Sequence, residues 1–242
     1  MPTALKCNPW KGAGWRAVEA QHKNATMILV NGNIADQALL EAIIEEEKPV
    51  LPGGAEELHY LLATPFRYPP PKPGGSRFCS TTERTSVFYG AEDEKTSCAE
   101  FGYWRLQMWM DSEGLRGKDT TMQVTLFEFH ATTNRMLDLA SPPYSKQMPS
   151  WTNKTDYCAT QALATEAREQ KIEAIRSVSV RNFPEGRCLI MLTPDVFKAA
   201  NGQLRPFRQK MQTWNLYLAP PFRAVWTREF SDDQFEFNFA PD

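Results

Sequence analysis

Four side chains carry the chemistry this sequence could support: Arg77, Tyr89, Glu100 and, far downstream, Ser179. Arg77 lies in Gly74-Gly75-Ser76-Arg77-Phe78, Tyr89 in the apolar run Val87-Phe88-Tyr89-Gly90-Ala91, and Ser179 in Ile175-Arg176-Ser177-Val178-Ser179-Val180-Arg181. A guanidinium fork can grip a pyrophosphate through two parallel hydrogen bonds, which lysine cannot do. An aromatic ring can stack on a base. A lone carboxylate stabilises positive charge that develops in a transition state, and a hydroxyl binds a ribose or phosphate oxygen. The set suits an anionic, ring-bearing ligand such as a dinucleotide. Each member also has a plainer reading. Arg77 can be a surface arginine beside a loop, Tyr89 a core tyrosine with one hydrogen bond, and Ser179 an outward-facing strand serine. Glu100 can belong to a polar helix face continued by Gln107 and Asp111.

What is missing narrows the chemistry. His22, His59 and His130 sit in unrelated contexts, and no GxSxG nucleophile elbow is present. A reaction that needs a histidine base is hard to assemble. Cleavage of the nicotinamide–ribose bond of NAD needs none. Its leaving group departs from a cationic pyridinium as a neutral molecule, and one aimed carboxylate can stabilise the cationic ribose, as in the related oxocarbenium of glycosidases. Glu100 is the candidate, with Tyr103, Trp104 and Met108 as its apolar neighbours on a helical wheel. Neither GxGxxG nor GxxxxGK[ST] occurs, so neither a Rossmann nor a P-loop nucleotide site is indicated.

Composition excludes several classes. The net charge of −2 gives no electrostatic reason to expect nucleic acid or an anionic membrane as partner. The five cysteines, Cys7, Cys79, Cys98, Cys158 and Cys188, are scattered, with no CxxC pair, and read as reduced thiols without a metal site. The first residues lack an apolar signal-peptide core, and apolar runs as short as Met27-Ile28-Leu29-Val30 cannot span a bilayer. A cytoplasmic location is the expectation. The seven Trp residues are expected in the core rather than lining a pocket.

The elements that must position these side chains follow from pattern. Residues 1–56 read as an N-terminal extension with one amphipathic helix, Gln37 to Glu47, capped by Asp36, with Leu39, Leu40, Ile43 and Ile44 on one stripe and Pro49 as its stop. Pro69-Pro70-Pro71-Lys72-Pro73-Gly74-Gly75 reads as a stiff loop, or a ligand for an SH3-type module, and it separates Arg67 from Arg77 so that both could stand on neighbouring strands of one site. A strand at Val87–Tyr89 is followed by a helix from Thr96 to Asp111. Strands are expected from Met122 to Thr132 and from Arg135 to Leu139, then a helix capped by Asp156 and running to Gln170. Ile172 to Val180 and Arg187 to Leu192 form a strand pair, and residues 212–239 are strand-rich, with Phe235, Phe237 and Phe239 alternating. The mixture points to an α+β fold in three stretches: the extension, a core at 57–195, and a C-terminal segment at 196–242 completing the same domain.

Gly75-Ser76-Arg77-Phe78, Val87-Phe88-Tyr89-Gly90-Ala91-Glu92, Cys98-Ala99-Glu100 and Ile175 to Arg181 occur in that order. Together with Asp156-Tyr157-Cys158-Ala159-Thr160-Gln161-Ala162-Leu163-Ala164, they resemble the RES domain family over about residues 60 to 195. Trp15-Arg16-Ala17-Val18-Glu19-Ala20-Gln21-His22 is similar to the extension of longer members. The resemblance implies an ADP-ribosyltransferase-like fold, with a mixed or antiparallel β core and flanking helices. It implies a toxin of a bacterial toxin–antitoxin module, paired with an Xre/ParS-type antitoxin. It also implies NAD as substrate rather than cofactor, consumed by hydrolysis or phosphorolysis, or donating ADP-ribose to a protein. Arg77, Tyr89, Glu100 and Ser179 are the matching residues, with Arg67 as a further phosphate ligand. Ser177 and Ser179 both fit the family serine, and strand alternation would put both on one face. A non-catalytic protein-binding module remains the rival from another class.

Overall fold

The computed structural model describes residues 4–20, 24–84, 86–198 and 210–239. His22 lies outside the described residues. The sheet is organised by two long strands, β1 (Asn8–Glu19) and β3 (Thr120–Asp138), antiparallel to each other along nearly all of β1. β2 (Phe88–Ala91), β4 (Ala174–Val178), β5 (Arg187–Met191), β6 (Met211–Ala219), β7 (Arg223–Arg228) and β8 (Gln234–Asn238) complete an eight-stranded sheet of order β1-β2-β5-β4-β3-β6-β7-β8. Because β1 also pairs with β3, the strands β1, β2, β5, β4 and β3 form a closed circuit, and β6 to β8 extend from the other edge of β3. Among the described strands, only the β3–β4 pairing is parallel. The expected α+β class, a mostly antiparallel sheet with flanking helices, is what the chain forms.

Within the N-terminal stretch, the β1 segment is thus built into the sheet. β1 is the principal partner of β3, and its glycines explain why its sequence looks unlike a strand. A Cβ on Gly14 would stand 2.5 Å from the Phe129 ring and 2.9 Å from the Ala91 carbonyl, so the residue is small because two neighbouring strands close on it. β3 corrects a second expectation. The two strands read at Met122–Thr132 and Arg135–Leu139 are one, because Thr133 and Asn134 are carried through rather than turned. The Thr133 hydroxyl accepts the Arg135 amide and donates to Glu173, while the Arg135 guanidinium donates to the carbonyls of Gln170 and Lys171.

Three apolar clusters fill the fold. Phe66, Phe88, Phe127, Phe129 and Phe197 pack on one side of the closed circuit. Trp214, Trp226, Cys98, Ala99 and Leu106 hold α4 (Glu94–Asp111) against β6 and β7. Phe78, Val87, Leu137, Trp151, Leu163 and Ile190 join α6 (Cys158–Glu169) to the sheet face that carries Tyr89. Trp151, Trp214 and Trp226 are core residues as expected, whereas Trp104 is half exposed.

The helix α2 (Ile34–Glu46), which pairs with the short α1 (Asn24–Leu29), has no buried residue. Leu39, Ile43 and Ile44 form a stripe, but it faces solvent rather than a core. Its cap is Asn33, whose side chain accepts the amides of Ala35 and Asp36, in place of Asp36. Phe66 and Arg67 belong to α3 (Tyr60–Arg67), not to a strand. α6 starts at Cys158, and Asp156 accepts the Cys158 amide one residue outside the cap position. No helix among the described residues is long and apolar enough to cross a membrane.

Candidate active site

β2, β5 and β4 place Ala91, Cys188 and Ser177 side by side on one face. α4 crosses this face, started by Asp93, whose carboxylate accepts both the amide and the hydroxyl of Thr96. The helix buries Thr96, Ser97, Cys98, Ala99, Gly102, Tyr103 and Leu106, and Glu100 emerges half-buried at the margin of that face.

Glu100 is not a surface acid. The Ser179 hydroxyl donates to its Oε1 at 2.6 Å, and the Cys188 thiol lies 3.4 Å from the same oxygen. Ser179 is fully buried, and its oxygen accepts the amides of Arg181 and Asn182 at 3.2 and 3.0 Å. Both lone pairs are then used, so the hydroxyl proton has one place to go, the carboxylate. The turn that makes this possible is closed by Ser179 N to Gly186 O and Gly186 N to Asn182 O, and Asn182 is tied to Thr96 of α4. β4 ends at Val178, so strand alternation does not carry Ser177 and Ser179 to one site. The Ser177 hydroxyl turns to the Val178 carbonyl. Of the two serines, Ser179 is the one that reaches Glu100. Its saturated bonding suits orienting that acid better than holding a ligand oxygen.

Arg77 is set by a different device. Ser76 and Cys79 close a tight turn around it through paired backbone bonds of 2.8 and 3.1 Å. The turn needs Gly75 at φ +75°, where an added Cβ would lie 2.4 Å from the Cys79 carbonyl. The Tyr89 hydroxyl fastens it from the sheet, accepting the Phe78 amide at 3.0 Å and sharing a hydrogen bond with Ser76 at 2.9 Å. Gln161 fastens it from α6 by donating to the carbonyls of Gly74 and Ser76. The Tyr89 ring packs against the third cluster, and burial pushes its phenol up. Tyr89 thus latches the arginine turn through its hydroxyl, as in the plainer reading of a tyrosine held by a hydrogen bond. The aromatic ring beside the guanidinium is that of Tyr157, 4.6 Å from Arg77 Cζ. Arg77 also donates through Nη1 to the carbonyls of Asn153 and Trp151, and it engages no carboxylate among the described residues. Burial, followed by the charge of Glu100, pushes the Cys188 thiol well up, while Arg77 works the other way. Both charges are thus felt at Cys188, Glu100 through direct contact.

Arg67 does not join them. From the end of α3 its guanidinium pairs through Nη2 with Glu45 of α2 at 2.6 Å. Three residues that sequence reasoning passed over have structural signals. Gln161 lay unremarked inside the quoted α6 motif. Arg181 follows Ser179, and its guanidinium stacks 3.3 Å from the Tyr103 ring centroid, one helical turn from Glu100. Arg16 of β1 packs 4.8 Å from the Phe88 ring and donates to the Tyr89 carbonyl, its Nε is buried without a partner, and burial pulls it down to about 10. A buried guanidinium nitrogen with no acid beside it among the described residues is the signal, and only the folded chain reveals it. On the opposite face of β4, Arg176 binds Glu92 bidentately at 2.7 and 2.9 Å and reaches Asp138, lining a cavity of about 270 Å³ that holds none of the four singled-out residues.

A family model described as the RES domain matches residues 52–218, well over half of the chain. The chain belongs to the RES domain family. β1 and α2 precede the matched residues, yet the RES sheet here cannot close without β1. No curated protein matches the chain in sequence. Among solved structures, it is similar to a crystal structure of the M. tuberculosis MbcT–MbcA toxin–antitoxin complex, at 12% identity and a TM-score of 0.38 over 88% of this chain and 87% of that one. An overlap this low adds nothing to the family match.

Proposed function

We propose that this RES domain protein cleaves the nicotinamide–ribose bond of NAD, by hydrolysis or phosphorolysis, and serves as the toxin of a toxin–antitoxin pair with an Xre/ParS-type antitoxin. The observation that carries the reading is the Glu100 carboxylate. One oxygen is held by Ser179 and Cys188, and the other accepts no bond among the described residues. In this reading Arg77 binds the diphosphate, Tyr157 offers its ring to a base, and Tyr89 and Gln161 keep the arginine in place. Ser179 points Glu100 at the ribose. As the glycosidic bond lengthens, positive charge spreads over the ribose carbon and ring oxygen, and a fixed carboxylate stabilises it without having to reorganise. Nicotinamide leaves neutral, so no proton donor is required. Water or phosphate then takes the open face.

Incubating the purified protein with NAD and following nicotinamide release tests this. Glu100→Gln, close to isosteric, is expected to slow release about 10²–10³-fold, the range for losing a group aimed at developing charge. Release at the parent rate would sink the assignment of Glu100. NAD labelled in its adenylate separates acceptors: label in small molecules marks hydrolysis or phosphorolysis, and label on polypeptide marks ADP-ribosyl transfer. Neither turnover nor a thermal shift with NAD would leave a protein-binding module.

A further inference from the structure

Resting on that reading, we infer that Cys188 is a positioning residue for Glu100, acting with Ser179 to hold one carboxylate oxygen so that the other faces the substrate. Two donors from two elements converge on Glu100 Oε1: Ser179 from the turn after β4 and Cys188 from the first half of β5. A carboxylate held by one bond can still swing about that bond. A second donor on the same oxygen, from another direction, removes the swing and leaves Oε2 as the oxygen with unsatisfied capacity. The cost of ordering the acid is then met in folding rather than on binding substrate.

The local structure makes a thiol suitable. Cys188 pairs with Ser177 on one side and Ala91 on the other, both small, so α4 can bring Glu100 down onto the strand. The same environment disfavours the thiolate, through burial and the facing Glu100 charge. The sulfur therefore keeps its proton and remains a donor. It also stays a poor nucleophile, which argues against a covalent role for a cysteine beside a reactive sugar.

Cys188→Ala and Cys188→Ser test the inference by steady-state NAD kinetics and by infrared spectroscopy. Cys188→Ala is expected to lower kcat roughly 3–10-fold, the loss of a weak hydrogen bond of about 1 kcal/mol, with KM within about twofold, because an orienting contact matters most in the transition state. Cys188→Ser keeps a donor and is expected to restore most of the loss. A part that only fills space would leave kcat at the parent value in both variants and show its loss in thermal stability instead. The S–H stretch of Cys188, isolated as the difference between parent and Cys188→Ser, is expected to shift when Glu100 becomes Gln. An unmoved band, or a Cys188→Ala variant with parent kcat, overturns the inference. A parent protein that leaves NAD intact strikes the proposed function instead, and the band then still decides whether the thiol holds the acid.

Discussion

Arg67 and Arg77 flank the same proline- and glycine-rich loop, and Glu45 and Glu100 both end in bonds to a donor, yet the two pairs are opposites. Arg67 and Glu45 neutralise each other between α3 and α2, with Glu45 in water. Arg77 and Glu100 are both held by neutral partners: carbonyls and a ring for the cation, a hydroxyl and a thiol for the anion. A charge that has met its opposite has little left for a ligand. A charge oriented by neutral groups keeps its field, and in a partly desolvated setting that field is strong. The helices differ in the same way. α4 is fixed by seven buried residues, whereas α2 has none and depends on caps and the Arg67 link. Position is over-determined around the acid proposed to face the substrate.

The comparison breaks first at Glu100, where replacement by Gln carries the largest expected loss of NAD turnover; Glu45→Gln should leave turnover unchanged. Next come the arginines. Arg77→Lys keeps charge but loses the bidentate fork and is expected to raise KM about tenfold or more, while Arg67→Lys stays within about twofold. Equal effects at both positions would return Arg67 to the site. Tyr89→Phe removes the latch and strands the buried Phe78 amide, at a cost of about 1–3 kcal/mol. Thermal unfolding reads this as a drop of several degrees for a chain this size, and a rise in KM should accompany it if Tyr89 serves the arginine turn.

The smallest effect concerns pH. Hydrogen bonding to Arg67, then to Lys48, lowers Glu45 from 4.5 to about 2. A depressed carboxylate stabilises the fold above its unfolded value and loses that contribution as pH falls through the folded one. Amide exchange in α2 should thus show the Glu45 contribution intact near neutrality and declining only between about 4.5 and 2, and absent at every pH in Glu45→Gln. The contribution is small and salt-sensitive because the pair is solvent-exposed.

Much of this molecule is legible along the chain. The α4 pattern, the β4–β5 pair, the alternating phenylalanines of β8 and the order of the Arg77, Glu100 and Ser179 motifs depend on local periodicity, turn chemistry and spacing, which a linear sequence contains. Other features depend on partners distant in sequence. β1 looked like an appendage because its glycines answer to Phe129 and Ala91. β3 read as two strands because Glu173, which holds Thr133 in line, is distant in sequence. Tyr89 has the composition of a stacking ring, and only the closure of the Ser76–Cys79 turn beneath it makes it a latch. The apolar stripe of α2 obeys helical periodicity without having a core to face. Residue type fixed which groups could bear charge, donate protons or stack. Folding determined which of those charges were cancelled by a neighbour and which were left oriented, because cancellation is a matter of distance through space and sequence records only distance along the chain.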